Sequence, residues 1–273
     1  MKTDNDGNYS IKPFSINRQV LSDFYDEQFN KHNMIGLLEV DITGGKELIK
    51  RHFEKTGEKI SFVAWISKYV SQALSEQPEI HSMRQGRKKL VTFEDIDITV
   101  LVERQVDDKR IPVPKILRKT NEKTVKELSR EVRQAQEQKV EESDQLLGNK
   151  KNPLLLSLFL RFPKFIRRHV YRRTLKNPFK VKRDSGTVII TSVGMFAKDN
   201  AAFVISFGFL PVSIALGGIT RKPGVVANEI RIREYLYMTI MIDHDVVDGA
   251  PAARFVARAV ELMEKAFGLE FIS

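Results

Sequence analysis

One imidazole stands out among the side chains able to do chemistry. His244 lies in the stretch 235–255, YLYMTIMIDHDVVDGAPAARF, with Asp248 four positions later and Gly249 after it. An imidazole titrates near neutral pH, and one ring nitrogen can be held while the other takes a proton, so a rigidly delivered His serves as a general base. Taken alone, a His at a strand end is more often a partly buried polar residue, and its spacing to Asp-Gly raises it above that reading. The chain has no cysteine, so a nucleophile or base must be Ser, Thr, His, Lys or a carboxylate. Disulfides and thiolate metal sites are excluded on the same ground, and no metal is expected.

The elements around His244 must hold it still. Residues 236–242 are almost all apolar or β-branched, as suits a strand covered on both faces, which leaves His244 at its mouth. Asp248 is placed to cap a helix with Pro251 in its first turn and Phe255, Ala259, Leu262 and Ala266 at helical spacing. A second, short β-branched strand at 187–192 ends in two hydroxyls, Thr191 and Ser192, before Val193-Gly194-Met195-Phe196.

Further strands are predicted at 35–42, closed by Gly44-Gly45, at 90–93, 96–102, 202–205, 212–219 and 231–237. Proline-punctuated 111–116 reads as an edge strand. Gly217-Gly218 marks a bulge or a close backbone approach, and 221–224 the start of a turn. Helices are predicted from Lys46 to Thr56 with Gly57 as its stop, after Ser61 with Phe62, Trp65, Ile66, Tyr69, Val70, Ala73 and Leu74 on one face, and from Thr124 to Glu142.

The order strand, Asp-His, three residues, Asp-Gly, helix resembles the catalytic domain of the dihydrolipoyl acyltransferases of 2-oxo acid dehydrogenase complexes, which shares its fold with chloramphenicol acetyltransferase. The likeness extends to an EVDIT strand, a helix ending before QPEI, a strand pair, a PVP stretch and a charged helix, covering roughly residues 12–140 and 185–273. It implies an α/β fold: an α+β two-layer sandwich with a mixed sheet and helices on one face. The implied activity is acyl transfer between coenzyme A and a thiol acceptor such as dihydrolipoamide, with coenzyme A as substrate.

In that resemblance His244 is the general base, and a hydroxyl three positions before Gly194 donates to the oxyanion. This position is Thr191 where serine is usual, with Ser192 as the alternative register. Asp248 would organise the turn, holding an arginine or local backbone, and Gly249 would let the chain turn into the helix. The resemblance also implies a homotrimer with the site between subunits, and the end 269–272 resembles anchors that build larger assemblies.

Asp245 departs from the arginine common in the family and adds a negative charge beside the base. Residues 1–273 are expected to form one catalytic domain without lipoyl or subunit-binding domains, so a lipoyl group would come from a lipoylated partner protein. Two rival readings keep the fold: transfer from acyl-coenzyme A to a small hydroxyl or amine acceptor, and a non-catalytic scaffold.

The net charge of +10 is concentrated in a middle segment, about 141–184, that the resemblance leaves out. Asn152 and Pro153 could open a helix there, and the apolar run 154–160 is too short for the roughly 20 residues a bilayer crossing takes. Phe159, Phe162, Phe165, Ile166 and Tyr171 lie among cations, so 152–173 either packs on the body or meets a membrane surface. No nucleic-acid motif accompanies the basic run, so no nucleic-acid partner is expected. The polar start MKTDNDGNYS lacks the apolar core of a signal peptide, and a cytoplasmic location is expected.

Overall fold

The computed structural model describes residues 9–14, 18–19, 22–23, 25–26, 31–106, 109–138, 158–159, 161–192, 202–205 and 208–270. Strand β1 (Asn33–Asp41) ends where the Asp41 carboxylate accepts the Thr43 N–H at 2.9 Å and its hydroxyl at 2.7 Å. That local bond starts helix α1 (Thr43–Thr56) three residues before the predicted Lys46. Gly44 and Gly45 therefore lie inside the first turn, where a Cβ on Gly45 would overlap the Trp65 ring. Gly57 closes the helix in the left-handed conformation, φ 71°, with its N–H on the Phe53 carbonyl.

Helix α2 (Phe62–Glu76) is capped by the Ser61 hydroxyl, and Trp65, Ile66, Tyr69, Val70, Ala73 and Leu74 are completely buried. A short hairpin, β2 (Met83–Gln85) and β3 (Lys89–Val91), follows; its first strand carries no alternation long enough to be predicted. Next come β4 (Ile98–Val106) and β5 (Lys109–Leu117). Helix α3 (Val125–Glu137) opens on a reciprocal Thr124–Glu127 capping box and stops before Glu142. Then follow α4 (Lys164–Leu175), α5 (Pro178–Ser185), β6 (Val188–Ser192), β7 (Val212–Val226), β8 (Glu229–Asp243) and α6 (Gly249–Glu264).

Six strands form one mixed sheet in the order β1-β8-β7-β6-β4-β5, with β6 parallel to β4 and β7 and the other pairs antiparallel. The proline-bearing β5 lies at an edge, where a missing backbone donor is tolerated. Val188, Ile190, Val212, Ile214, Leu216, Leu236, Met238, Ile240 and Ile242 share one core with Trp65, Tyr69, Leu128 and Phe255 from the helices. This matches the expected α/β sandwich.

The β7–β8 region corrects three expectations. Residues 202–205 are not a strand. They lie against the β7 bulge between Leu216 and Ile219, where the Gly218 N–H reaches the Ala202 carbonyl at 3.2 Å and a Cβ on Gly217 would overlap that oxygen. The turn falls at Ala227 and Asn228, φ 50° and 62°, rather than at 221–224. Two successive left-handed residues match the twist of a tight hairpin, so pairing continues to Val226 and Glu229.

Part of the basic middle segment is anchored on the body. Asp97, nearly buried, takes Arg118 at 2.9 Å, Lys182 of α5 at 3.2 Å and the Lys119 N–H at 2.9 Å. Burial pushes the Asp97 carboxyl up, but the Lys119 N–H, Arg118 and Lys182 outweigh it and hold the group below its usual range. Lys182 also lies 5.2 Å from the Phe93 ring centroid, and Phe93 packs edge-on against Phe179. The predicted helix start at Asn152 and Pro153 lies outside the described residues, as do Gly194 and residues 271–273.

Candidate active site at the end of strand β8

The backbone under His244 is clamped from both sides. β1 pairs with β8 up to Asn33 opposite Asp243, and the His244 N–H then donates to the His32 carbonyl at 2.7 Å. Asp243 is buried; its carboxylate takes the Lys31 ammonium at 2.6 Å and the Asp245 N–H at 3.1 Å. Its carbonyl accepts the N–H groups of Val246 and Val247 at 3.2 and 3.3 Å. A turn tied by these five contacts carries an exposed imidazole out of a strand that is buried from Leu236 to Asp243.

Asp245, next to the base in sequence, is engaged by other basic groups. Its carboxylate meets His32 Nδ1 at 2.9 Å and Arg84 at 3.3 Å. The His32 hydrogen bond, with support from Arg84 and Lys31 and against partial burial, holds the Asp245 carboxyl below the usual range. The negative charge is thus shared with two neighbouring basic groups from β1's approach and from β2.

Asp248 occupies the helix N-cap with extended backbone, φ −82° and ψ 168°, but its side chain makes no capping hydrogen bond. Its carbonyl accepts the Ala252 N–H at 3.2 Å, so the main chain starts the helix while the exposed carboxylate faces outward. Gly249 is the first helical residue. It has no left-handed φ, and a Cβ there would meet nothing within 4 Å, so the turn imposes no steric demand for glycine. Phe255, Ala259, Leu262 and Ala266 are buried as the spacing predicts.

The two candidate hydroxyls end β6 on opposite faces of the sheet. Thr191 pairs with Ala215, which pairs with Thr239; Ser192 pairs with Leu216, which pairs with Met238. Directly paired residues share a face. Leu216 and Met238 belong to the core beneath α2, α3 and α6, so Ser192 has the parity of that core and Thr191 that of the opposite face, which it shares with Ile189. Both hydroxyl residues are half-buried.

The hydroxyl pair and His244 lie well apart on the sheet within one chain. From Thr239, level with Thr191, His244 is five residues along the strand, roughly 17 Å, and two strand spacings add roughly 10 Å across. The structure therefore gathers Asp243, His244, Asp245, Lys31, His32 and Arg84 into one cluster and leaves Thr191 and Ser192 apart from it. Lys31, His32 and Arg84 are not legible in the sequence as neighbours of the site. Their only sequence signal is positive charge near a strand start, whereas the β1–β8 register brings Lys31 and His32 there and the β2–β3 hairpin brings Arg84.

The description "2-oxoacid dehydrogenases acyltransferase (catalytic domain)" matches residues 27–146 and 173–269. The lipoamide acyltransferase component of the branched-chain alpha-keto acid dehydrogenase complex of Bacillus subtilis (strain 168) is 24% identical over 237 residues, covering 84% of this chain and 46% of that protein. This chain thus spans about half the length of that curated relative.

A solved dihydrolipoamide acetyltransferase from Azotobacter vinelandii, whose catalytic mechanism was investigated at a serine, a histidine and, four residues later, an asparagine, superposes with TM-score 0.68. It is 17% identical and covers 98% of this chain and 97% of its own. Chloramphenicol acetyltransferase shares the fold at TM-score 0.52 and 13% identity, over 92% of this chain and 99% of its own. With well over half its length matched, this chain belongs to the family of 2-oxoacid dehydrogenase acyltransferase catalytic domains.

Proposed function

We propose that this chain transfers an acyl group between coenzyme A and a thiol acceptor of the dihydrolipoamide type. The observation that carries this reading is the exposed His244 at the end of a buried strand, within a chain of this family. His244 removes the proton of the attacking thiol. The thiolate adds to the thioester carbonyl, a hydroxyl hydrogen-bonds the resulting oxyanion, and collapse expels the other thiolate, which recovers the proton from the imidazolium. No acyl-enzyme is required, in keeping with a chain that has no cysteine.

Thr191 rather than Ser192 is the better oxyanion donor, because its parity takes it out of the core beneath α2, α3 and α6. The separation of His244 and Thr191 along one sheet supports a site assembled from two copies, as in a homotrimer with each His serving its neighbour's threonine. The Azotobacter acetyltransferase spaces its histidine and asparagine as His244 and Asp248 are spaced here, which supports assigning the exposed Asp248 to the mouth of the site. The lipoyl group would arrive on a partner protein.

Thiol release from a panel of acyl-coenzyme A donors, with and without dihydrolipoamide, tests the activity. The wild-type protein is expected to require the dithiol, and His244→Ala to lower kcat by about 10²–10⁴-fold. Turnover with a small alcohol or amine but not with the dithiol would favour the second acceptor class, and an unaltered rate in His244→Ala would sink the assignment of the base.

A further inference from the structure

The twelve lysines and arginines between residues 145 and 183 exceed the whole chain's net charge of +10, and no acidic residue lies among them, so the remainder of the chain is net acidic by two. A helix that is merely solvated surface carries mixed signs and turns its rings inward. Helix α4 carries positive charge only and leaves Phe165 outward. Its inner side is held to the N-terminal segment by Arg167 on the buried Asp23 at 2.7 Å and by Lys164 on Asp26 at 2.7 Å, and Tyr171 packs edge-on against Phe159 with ring centroids 5.6 Å apart. The outer side presents Phe165, 72% exposed, and Val170, 43% exposed, between His169, Arg172 and Arg173. Leu158 and Phe162 just before the helix are also exposed.

We propose that α4 and the residues just before it form a docking surface for an anionic lipid bilayer. Cations alone would suit any polyanion, and exposed phenyl rings alone would suit an apolar partner. A membrane interface takes both at once, phosphates on the guanidinium and ammonium groups and rings at the boundary between headgroup and acyl chain. An open cavity of about 460 Å³ lined by Lys164, Phe165, Arg168, His169 and Arg172 combines both chemistries at one place. Among the described residues no helix is long and apolar enough to cross a membrane, and docking through α4 needs no crossing. The anchored inner side keeps the helix preformed, so binding need not offset the entropy of folding it.

Co-sedimentation of the full chain with phosphatidylcholine vesicles, with or without phosphatidylglycerol, tests this. Binding is expected only with the anionic lipid, weakening as salt shortens the screening length. Reversing two charges, Arg172→Glu with Arg173→Glu, is expected to weaken binding by at least about tenfold. Phe165→Trp is expected to show a blue-shifted emission and quenching by brominated acyl chains, against the constant background of buried Trp65; a melting curve checks that each variant folds.

No binding to anionic vesicles at low salt overturns the proposal. Binding that ignores the charge reversal, or an indole in the Phe165→Trp variant that brominated chains leave unquenched, overturns it as well. Heparin or an acidic protein captured in place of vesicles would reassign the surface to a polyanion partner. None of these outcomes depends on acyl transfer.

Discussion

At the scale of single residues, geometry separates side chains that look equivalent in the sequence. Thr191 and Ser192 are adjacent hydroxyls, yet a strand sends them to opposite faces. Thr191→Ala is expected to lower kcat by about 10²–10³-fold with little change in KM, the loss of one oxyanion donor, whereas Ser192→Ala should leave kcat within a few-fold. Steady-state kinetics on both variants checks it, and the opposite ranking would move the donor to Ser192. His81 is a residue to which the sequence draws no attention: it is fully buried, and neither ring nitrogen has a hydrogen-bond partner among the described residues.

Burial, then nearby Lys182, lower the His81 pKa to about 4, with Asp97 opposing. The unfolded chain takes up that proton below the ordinary histidine value and the native state does not, so stability is whole above about pH 6.5 and falls as the pH drops towards 4, by about 3 kcal/mol in all. Urea unfolding at pH 7 and pH 4.5 should show this loss, and His81→Leu should flatten it. An equal acid sensitivity in that variant would assign the effect elsewhere.

At the scale of elements, caps and close approaches decide where helices begin. Thr124 and Glu127 satisfy two end donors reciprocally, and their pattern is readable in the sequence. Thr124→Ala should cost about 1 kcal/mol, measured as a shift in the urea midpoint at unchanged slope. The start of α1 is misplaced by sequence reasoning because Gly44-Gly45 looks like a turn. Only the packed structure shows that Gly45 is there to admit the Trp65 ring. Gly45→Ala should therefore destabilise by about 1–3 kcal/mol despite alanine's better helix propensity. A neutral or stabilising result in thermal melts would mean that Trp65 has room to yield. The same logic explains 202–205: an apolar tetrapeptide with strand composition lies against a glycine bulge instead of pairing.

At the scale of the whole molecule, the sheet holds the proposed base and its proposed donor apart. Co-expressing inactive His244→Ala with inactive Thr191→Ala tests whether sites form between copies. In randomly mixed closed rings, a site is restored when one chain keeps its His and the next keeps its Thr, so about a quarter of wild-type activity is expected. Mixtures as inactive as their components would confine both groups to one chain or dismiss one of them. The body's other organising contact is Asp97, where α5, the start of β4 and the end of β5 meet through Arg118, Lys119 and Lys182. It explains why the C-terminal end of the basic segment is held on the body.

Local order sufficed for much of this protein. The β-branched run before His244, the helical stripe after Asp248, the Ser61 and Thr124 caps and the edge character of the proline-bearing strand are set by neighbours within a few residues, so periodicity and side-chain type expose them. Strand register, by contrast, joins residues hundreds of positions apart. Only the folded sheet could place Lys31 and His32 beside Asp243 and Asp245, give Thr191 and Ser192 opposite faces, and separate both hydroxyls from His244. The physical reason is that a pleat of period two and a ladder of fixed spacing convert a single register into the position of every side chain on the sheet.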